Sequence, residues 1–343
     1  MPEIAKQAIL DFYTYPPIGG DDWRYVFETA QVRTLEIAML SRAALQDMAN
    51  ADGFAQASEL LSGTEYAVGS TGDFGRVENM LGERRTAIRE LFAELMRDAP
   101  IVELVKSRDD FANLRLALRR VLTGKPLGGD YSPDGNASPD VFSSVFEEER
   151  YDLLPDYMRQ AVDAAVLAYY EKKDVRQIDY AIDAVQAEYN LKRARRLGSI
   201  FLTGLFRIRI DLTNIRTMLR LKFTGDEKRN VFLEGGYVEQ ERFGHGLDLG
   251  YEALAPLFFV TPYHRVVEAG AAYVASNKSF LKLEQQCDEH LTGFLKSTIQ
   301  VTAGPQPIIA YLLMKEHEIR TVRLILTAKR NSLDTKLILD RIA

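Results

Sequence analysis

Apolar residues recur every three or four positions along most of this 343-residue chain, which is the spacing of one face of an α-helix. Strand-like alternation bounded by hairpin turns is almost absent. One strongly apolar run, residues 200–210, is ambiguous by pattern and could be a buried helix. The sequence therefore predicts an all-α protein. The clearest helical patterns lie at residues 25–40, 157–170, 175–189, 266–274 and 308–326.

A short helical phrase occurs three times, at intervals of about one hundred residues. The copies at residues 110–119 and 211–220 both read Asp-x-x-Asn, then an aliphatic residue and an arginine. The copy at residues 315–322 is degenerate and has Glu318 where the others have Asn113 and Asn214. Self-similarity of this kind predicts one structural unit that is used three times.

Each copy of the phrase is preceded, at nearly constant distance, by an acidic residue and contains an arginine. The acids precede the aligned Asn or Glu positions by 35, 35 and 34 residues, and they are Glu78, Asp179 and Glu284. The arginines are Arg115, Arg216 and Arg320. We expect each acid to pair with the arginine of its own unit and to fix the register of two helices. The alternative is a threefold set of functional charges that face a shared centre.

Glycine- and proline-rich stretches at residues 124–139 and 234–250 are the natural boundaries between units. They predict three helical units, and residues 1–22, which lie outside the repeated pattern, are a predicted N-terminal extension. The predicted units are residues 23–125, 126–229 and 230–343. Each unit also has a tyrosine at the end of a loop that leads into a helix, where it is expected to anchor the helix start. These tyrosines are Tyr66, Tyr157 and Tyr263.

The charges are unevenly distributed along the chain. The net charge of −6 argues against nucleic acid as the main partner, because phosphate binding needs a basic surface. Residues 130–190 hold 14 acidic and 5 basic side chains, whereas residues 191–230 hold 11 basic and 3 acidic ones. The simplest interpretation is that two antiparallel helical segments neutralise each other. The alternative is a basic surface that meets an acidic partner, with Arg193, Arg195 and Arg196 as candidate contacts.

Known catalytic and ligand-binding motifs are missing from the sequence. It has no P-loop, no H-E-x-x-H pair, no G-x-S-x-G turn and no Cys/His cluster, so we predict no catalytic residue, no metal site and no cofactor. Glu316, His317 and Glu318 are ligand types, but adjacent residues point to different helix faces. Cys287 is the single cysteine and is expected to be a core thiol.

Neither a membrane span nor a signal peptide is predicted. The strongest apolar stretches, such as residues 200–206 and 253–260, are far shorter than the roughly 20 residues that cross a bilayer. Residues 1–22 contain Glu3, Lys6 and Asp11 and no long apolar run.

At the level of whole motifs, the chain resembles the C subunit of V-type and archaeal-type (V/A) ATPases, the counterpart of the eukaryotic d subunit. The first helical pattern, Tyr25-x-x-x-x-Ala-x-Val-Arg33-x-Leu-Glu36, resembles the start of that family. The Asp-x-x-Asn-Ile/Leu-Arg phrases do as well. The most specific match is the stretch from Pro307 to Leu326, with Lys315, Glu316, Glu318 and Arg320 in the family pattern.

The resemblance implies three similar helical domains in a pseudo-threefold, funnel-shaped arrangement without a catalytic site. It implies a central-stalk (rotor) subunit on the cytoplasmic face of the membrane, whose partners are the D and F subunits of the central shaft and the membrane proteolipid ring. Such a subunit couples ATP turnover to proton or sodium transport. Two alternatives stay open at this point: a helical scaffold unrelated to rotary motors, and an enzyme with an unrecognised site in a helical bundle.

Overall fold

A computed structural model describes residues 15–67, 73–226 and 228–342 of the chain. The regular elements in these ranges are all helical, and no strand occurs in them. The prediction of an all-α protein is therefore confirmed, and residues 200–210 open a long helix. Of the predicted N-terminal extension, residues 1–14 lie outside the described part of the chain.

Helices of very different length alternate along the chain. In chain order they are α1 (Val26–Glu36), α2 (Arg42–Asn50), α3 (Phe54–Glu59), α4 (Phe74–Leu95), α5 (Ala99–Leu122), α6 (Pro139–Glu147), α7 (Asp156–Lys172), α8 (Arg176–Arg196), α9 (Ile200–Thr224), α10 (Gln240–Asp248), α11 (Leu254–Leu257), α12 (His264–Asn277), α13 (Leu281–Lys296), α14 (Pro305–Arg330) and α15 (Thr335–Ile342). Short 3₁₀ turns at Trp23–Tyr25, Tyr151–Leu153, Tyr251–Ala253 and Ser297–Gln300 connect some of them.

Contacts group the described residues into two compact units. The terminal unit comprises the residues up to Arg97 together with those from Asp248 onward, and the middle unit comprises Asp98–Leu247. In the terminal unit α14 packs against α1, α2, α3, α4 and α13, and in the middle unit α5 packs against α6, α7 and α8. The division into three repeat units, with boundaries after residues 125 and 229, is a different subdivision and stays a prediction.

The three copies of the repeated phrase lie on α5, α9 and α14, which have 24, 25 and 26 residues. Gly124 and Gly225 follow the first two helices with φ of +67° and +68°, a left-handed conformation that glycine adopts without strain and that ends a helix. Pro305 is the first residue of α14, where its missing N–H costs nothing. The glycine and proline residues beside these helices thus explain where α5 and α9 end and where α14 begins.

Residues 15–22 are held within the terminal unit by contacts with its C-terminal part. The Asp21 carboxylate accepts a hydrogen bond from the Thr302 backbone N–H at 2.8 Å, and the Asp22 N–H donates to the Ala303 carbonyl at 2.7 Å. The ring of Tyr15 lies 5.2 Å from that of His290, which is also 5.0 Å from the ring of Tyr263. His290 is therefore enclosed by aromatic rings on α13's buried side.

This enclosure makes His290 a pH-dependent element of stability. Burial lowers the pKa of His290 from 6.5 to about 4. Below pH 6.5 the unfolded chain binds a proton that the folded chain does not take up until about pH 4, so stability is lost as the pH falls through this window. The expected loss is about 3 kcal/mol, from about 1.4 kcal/mol for each unit of pKa difference. Urea denaturation at several pH values would measure it.

The control for this effect is His290→Gln, which removes the titrating group and keeps a polar side chain of similar length. Its stability profile between about pH 6.5 and about pH 4 should be flatter than that of the unchanged chain. Burial also lowers the pKa of His317, so some slope should persist. Identical profiles for the two chains would contradict the assignment to His290.

Candidate functional site

The second copy of the repeated phrase fastens a loop to helix α9. The Asn214 side chain donates to the Leu233 carbonyl at 2.9 Å and accepts from the Leu233 N–H at 2.7 Å. One turn earlier, the Asp211 carboxylate accepts from the backbone N–H groups of Tyr237 and Val238 at 2.9 and 3.1 Å. Asp211 and Asn214 are fully buried. The phrase therefore satisfies backbone groups of a part-buried loop that has no regular secondary structure to do so.

The first copy repeats this arrangement on helix α5 at the same sequence offsets. Asn113 exchanges two 2.8 Å hydrogen bonds with the backbone of Ser132, 19 residues later, as Asn214 does with Leu233. Asp110 accepts from the N–H groups of Asn136 and Ala137, which follow it by 26 and 27 residues, as Tyr237 and Val238 follow Asp211. We call each such set a helix-to-loop clamp.

A glycine lies against the aspartate in both clamps. A Cβ atom added to Gly135 would collide with the Asp110 carboxylate, and one added to Gly236 would collide with that of Asp211. Neither glycine has a positive φ, so the requirement is for space and not for backbone conformation. These two glycines are the one sequence signal, 25 residues after each aspartate, that could have located the clamped loops in advance.

The third copy, on α14, builds its clamp from different chemistry. The Glu318 carboxylate accepts from the Leu40 N–H at 2.6 Å and from the Tyr66 hydroxyl at 2.6 Å. Lys315, at the position of the aspartate in the other copies, forms a buried ion pair with Glu318 and a second ion pair with the more exposed Glu65. In this copy the acidic residue therefore occupies the position of the asparagine, one turn later on the helix, and Lys315 neutralises its charge. Burial, followed by the nearby carboxylate of Glu318, raises the pKa of Tyr66 well above its usual value.

The loop that this third clamp holds comes from the beginning of the chain. Copies one and two hold segments that follow them in sequence, whereas Glu318 holds Leu40 and Tyr66, more than 250 residues before it. Tyr66 has an equivalent in the first clamp, where the Tyr157 hydroxyl donates to the Asp110 carboxylate at 2.6 Å. The N-terminal segment thus stands where a segment after the third copy would be, and we call this order of partners cyclic.

The recurring acids also pair in this cyclic order. Asp179 forms ion pairs with Arg119 and, at 3.4 Å, with Arg115, both on the first copy's helix. Glu78 on α4 lies 3.1 Å from Arg323 on α14, the third copy's helix. The ion pairs of these two acids are thus with the preceding copy, whereas the sequence analysis expected the arginine of their own unit. The pairing of Asp179 with Arg216 and of Glu284 with Arg320 stays a prediction.

The basic residues proposed as partner contacts lie in the last turn of α8. Arg193 is engaged within the middle unit, 3.0 Å from Glu103. Arg195 and Arg196 are exposed, and within the described residues they have no ion-pair partner. Cations at this end of a helix are favoured by its dipole. This tip of α8 is thus basic and open to solvent.

Two small cavities in the middle unit lie between α8 and α9. Their volumes are about 210 and 230 Å³, and Asp183, Thr213 and Leu233 line both. Burial raises the pKa of Asp183. Asp179 and Arg216 line the larger cavity, so the recurring charges of the second copy do approach one site. In the ranges that the structure describes, no group of three His, Cys, Asp or Glu side chains is placed to hold a metal ion.

The described helices include none that combines the length and apolar character needed to cross a membrane. Cys287 is fully buried, as expected of a core thiol. The site residues thus form three internal clamps, an ion-paired helix contact in each unit and one exposed basic tip. These arrangements can hold helices and loops in fixed positions.

Comparison with known proteins identifies relatives over almost the whole chain. Residues 29–341 match the model of the family described as ATP synthase (C/AC39) subunit. The chain is 24% identical to the C subunit of the V-type sodium ATPase of Enterococcus hirae over 90% of its own length and 95% of that protein. It is 26% identical to the C subunit of the V-type ATP synthase of Thermus thermophilus, over 91% and 94% of the two chains. The C subunit of an A-type ATP synthase from Thermococcus onnurineus is 22% identical over 88% and 86%.

Proposed function

Because the chain belongs to the ATP synthase (C/AC39) subunit family of V/A-type ATPases, we propose that it is the rotor adaptor of such a complex. It links the central shaft, made of the D and F subunits, to the membrane proteolipid ring, and so couples ATP turnover to proton or sodium transport. The observation that carries the proposal is the family match, which spans the helices from α1 to α15. Family membership also removes the alternative of a scaffold unrelated to rotary motors.

The clamps support an adaptor role on physical grounds. A subunit that transmits torque between two others has to be stiff, and densely packed helices deform little. The clamps extend this packing to the loops, which otherwise are the most mobile parts of a helical protein. Hydrogen bonds that are buried or part-buried fix backbone groups to five side chains, those of Asp110, Asn113, Asp211, Asn214 and Glu318. Stiffness is thus built into each repeat.

The proposed arrangement has three units about a pseudo-threefold axis, forming a funnel. The adaptor is non-catalytic, and it is peripheral on the cytoplasmic face of the membrane. The cyclic order of the clamps supports the threefold arrangement, because a repeat that closes on its own N-terminal segment leaves no unpartnered end. A closed ring of three units offers a central opening to a shaft and a broad face to a ring of subunits.

Reconstitution tests this proposal. The purified chain should bind a D–F shaft and detergent-solubilised proteolipid rings, and it should bring the two together in a single pull-down. Complexes reassembled without it should retain ATP hydrolysis in the soluble head but lose ATP-driven ion uptake into vesicles. Full ion uptake without the chain, or failure to bind either partner, would refute the adaptor role.

The exposed basic tip of α8 is the proposed charged contact of the adaptor. The double substitution Arg195→Glu/Arg196→Glu should weaken assembly with the shaft or ring roughly tenfold or more at low salt, because it reverses charges on an exposed rim. The loss should shrink at high salt, where the Debye length falls to about 3 Å. Helix content should not change, since both side chains are exposed. Co-purification of the reassembled complex at two salt concentrations measures the effect.

A matched control makes the same charge change elsewhere in the middle unit. Lys106 and Lys125 are also exposed, so Lys106→Glu/Lys125→Glu alters the net charge equally without touching the tip. Equal weakening by both pairs would mean that net charge matters and the tip does not. Unchanged assembly of the Arg195/Arg196 variant at both salt concentrations would exclude the tip as a contact.

A further inference from the structure

Helix α1 and the turn before it present an apolar stripe to solvent. Trp23, Phe27 and Ile37 are 66%, 73% and 85% exposed, among the most exposed large apolar side chains in the described chain. Ala30 and Thr34, also exposed, complete a series with alternating spacings of four and three residues. This is the heptad spacing of the seam between two helices in a coiled coil. The Thr34 hydroxyl donates to the Ala30 carbonyl at 3.1 Å, so it is satisfied within its own helix.

The opposite face of α1 is fixed to the terminal unit. Tyr25, Thr29 and Val32 are buried there, and α1 packs against α14. Thr29 exchanges hydrogen bonds of 3.3 and 3.1 Å with the backbone of Gly304, and Arg33 donates to the Thr298 carbonyl at 2.6 Å. The exposed stripe is therefore held in place by its own helix's buried side. It does not need to fold on binding.

The charges on α1 are already paired inside the unit. Arg24 lies 2.6 Å from Asp22, Arg33 lies 2.8 Å from Glu36, and Glu28 is paired with Arg97. A helix that binds a lipid surface carries basic side chains beside its apolar face to attract anionic lipids. Here the two arginines of the helix are neutralised by neighbours. The chemistry of the stripe thus favours an apolar protein surface over a membrane or a charged segment.

The size of the stripe indicates which kind of protein surface covers it. Within α1 it runs from Phe27 to Thr34, about 10 Å at 1.5 Å per residue, with Trp23 in the 3₁₀ turn before the helix and Ile37 directly after its end. Two aromatic side chains and one isoleucine bury on the order of 400–500 Å², since an aromatic residue contributes about 150–250 Å². A stable two-protein interface needs about 800 Å² on each side. The stripe is too small to hold a second copy alone and fits one contact among several in a larger assembly.

We propose that this stripe docks a helix of another subunit of the ATPase complex, one that carries apolar side chains at heptad spacing. The proposal rests on the proposed adaptor function and adds to it the face through which one neighbour is held.

Thiol labelling in the assembled complex tests the proposal. Cys287 is fully buried, so a maleimide reads only an introduced thiol. Ile37→Cys should label rapidly in the isolated subunit and roughly tenfold or more slowly in the complex, because a packed interface excludes water from its centre. Equal rates in the two states would overturn the proposal. Placing a photo-crosslinking benzoylphenylalanine at Phe27 identifies the occupant: a helix of another subunit supports the proposal, and a second copy or lipid overturns it.

Paired substitutions provide the matched control. Phe27→Asp/Ile37→Asp should reduce incorporation into the complex, whereas Leu333→Asp/Leu337→Asp, at exposed apolar positions elsewhere in the same unit, should not. Equal losses would overturn the proposal. If the chain joins shaft and ring while the Ile37→Cys thiol stays reactive, the docking proposal alone fails. If another subunit's helix protects that thiol but shaft and ring are not joined, the adaptor role alone fails.

Discussion

Replacing Glu318 with alanine is expected to lower the free energy of unfolding by about 3–5 kcal/mol, the usual cost of removing one partner of a buried ion pair. The substitution leaves Lys315 buried with only Glu65 to neutralise it. It also removes the acceptor of two hydrogen bonds, those from the Leu40 N–H and the Tyr66 hydroxyl. Urea denaturation of the full chain, followed by far-UV circular dichroism, measures the loss.

The conservative variant Glu318→Gln separates charge from hydrogen bonding. Its one carbonyl oxygen can still accept from the Leu40 N–H, whereas its NH2 group, which cannot accept, replaces the oxygen that faces the Tyr66 hydroxyl and Lys315. The variant therefore keeps the hydrogen bond to the loop backbone without the negative charge, and it should be less destabilising than Glu318→Ala. Amide hydrogen exchange provides a local measurement: the Leu40 N–H should lose protection in the alanine variant and keep much of it in the glutamine variant. A change of less than about 1 kcal/mol in Glu318→Ala would contradict a structural role for this carboxylate.

The clamp at Glu318 also illustrates what the sequence could predict. The position was found by aligning it with Asn113 and Asn214, and all three copies do lie on long helices. The helix class follows from apolar spacing, and the helix ends follow from Gly124, Gly225 and Pro305. Each of these is a local property that a residue type imposes on its own backbone. Local properties of this kind can be read from a single sequence.

The partners of the repeated residues could not be predicted in the same way. Asn113 and Asn214 bind backbone groups of Ser132 and Leu233, and a backbone group is the same at every residue. No side-chain pattern therefore marks the partner, except for the space that Gly135 and Gly236 leave beside the aspartates. The partners of the third clamp are still harder to predict, because Leu40 and Tyr66 lie near the start of the chain and Glu318 lies near its end.

The recurring acids show that the sequence also left two of their partners unidentified. Constant spacing to the arginines suggested pairing within a unit, but a cyclic repeat preserves the spacing whichever neighbour supplies the partner. Asp179 takes Arg115 and Arg119, and Glu78 takes Arg323. In both cases two antiparallel helices are held together, which is the structural role expected for these charges. The residue types indicated the role, whereas the partner depended on the topology.

The second large effect is expected at the clamp of the middle unit. Asp211→Ala should cost about 2–4 kcal/mol, because it leaves the buried Val238 N–H and the part-buried Tyr237 N–H without this acceptor, at about 1–3 kcal/mol for each fully buried group. Gly236→Ala should cost about 1–3 kcal/mol by overpacking against the Asp211 carboxylate. Urea denaturation of both variants and of the double variant measures these costs as a double-mutant cycle.

The coupling between the two sites decides whether the glycine serves the clamp. Once Asp211 is alanine, the added methyl group at position 236 no longer meets a carboxylate, so the double variant should be more stable than the sum of the single losses by about 1–2 kcal/mol. Gly244→Ala is the matched control: its nearest neighbour atom is 3.7 Å away, and within α10 the change should be neutral or stabilising by up to about 1 kcal/mol. Strict additivity at positions 211 and 236, or an equal loss at position 244, would mean that Gly236 is not required by the clamp. A positive coupling would establish that the aspartate of the repeated phrase and the glycine 25 residues after it form one structural unit.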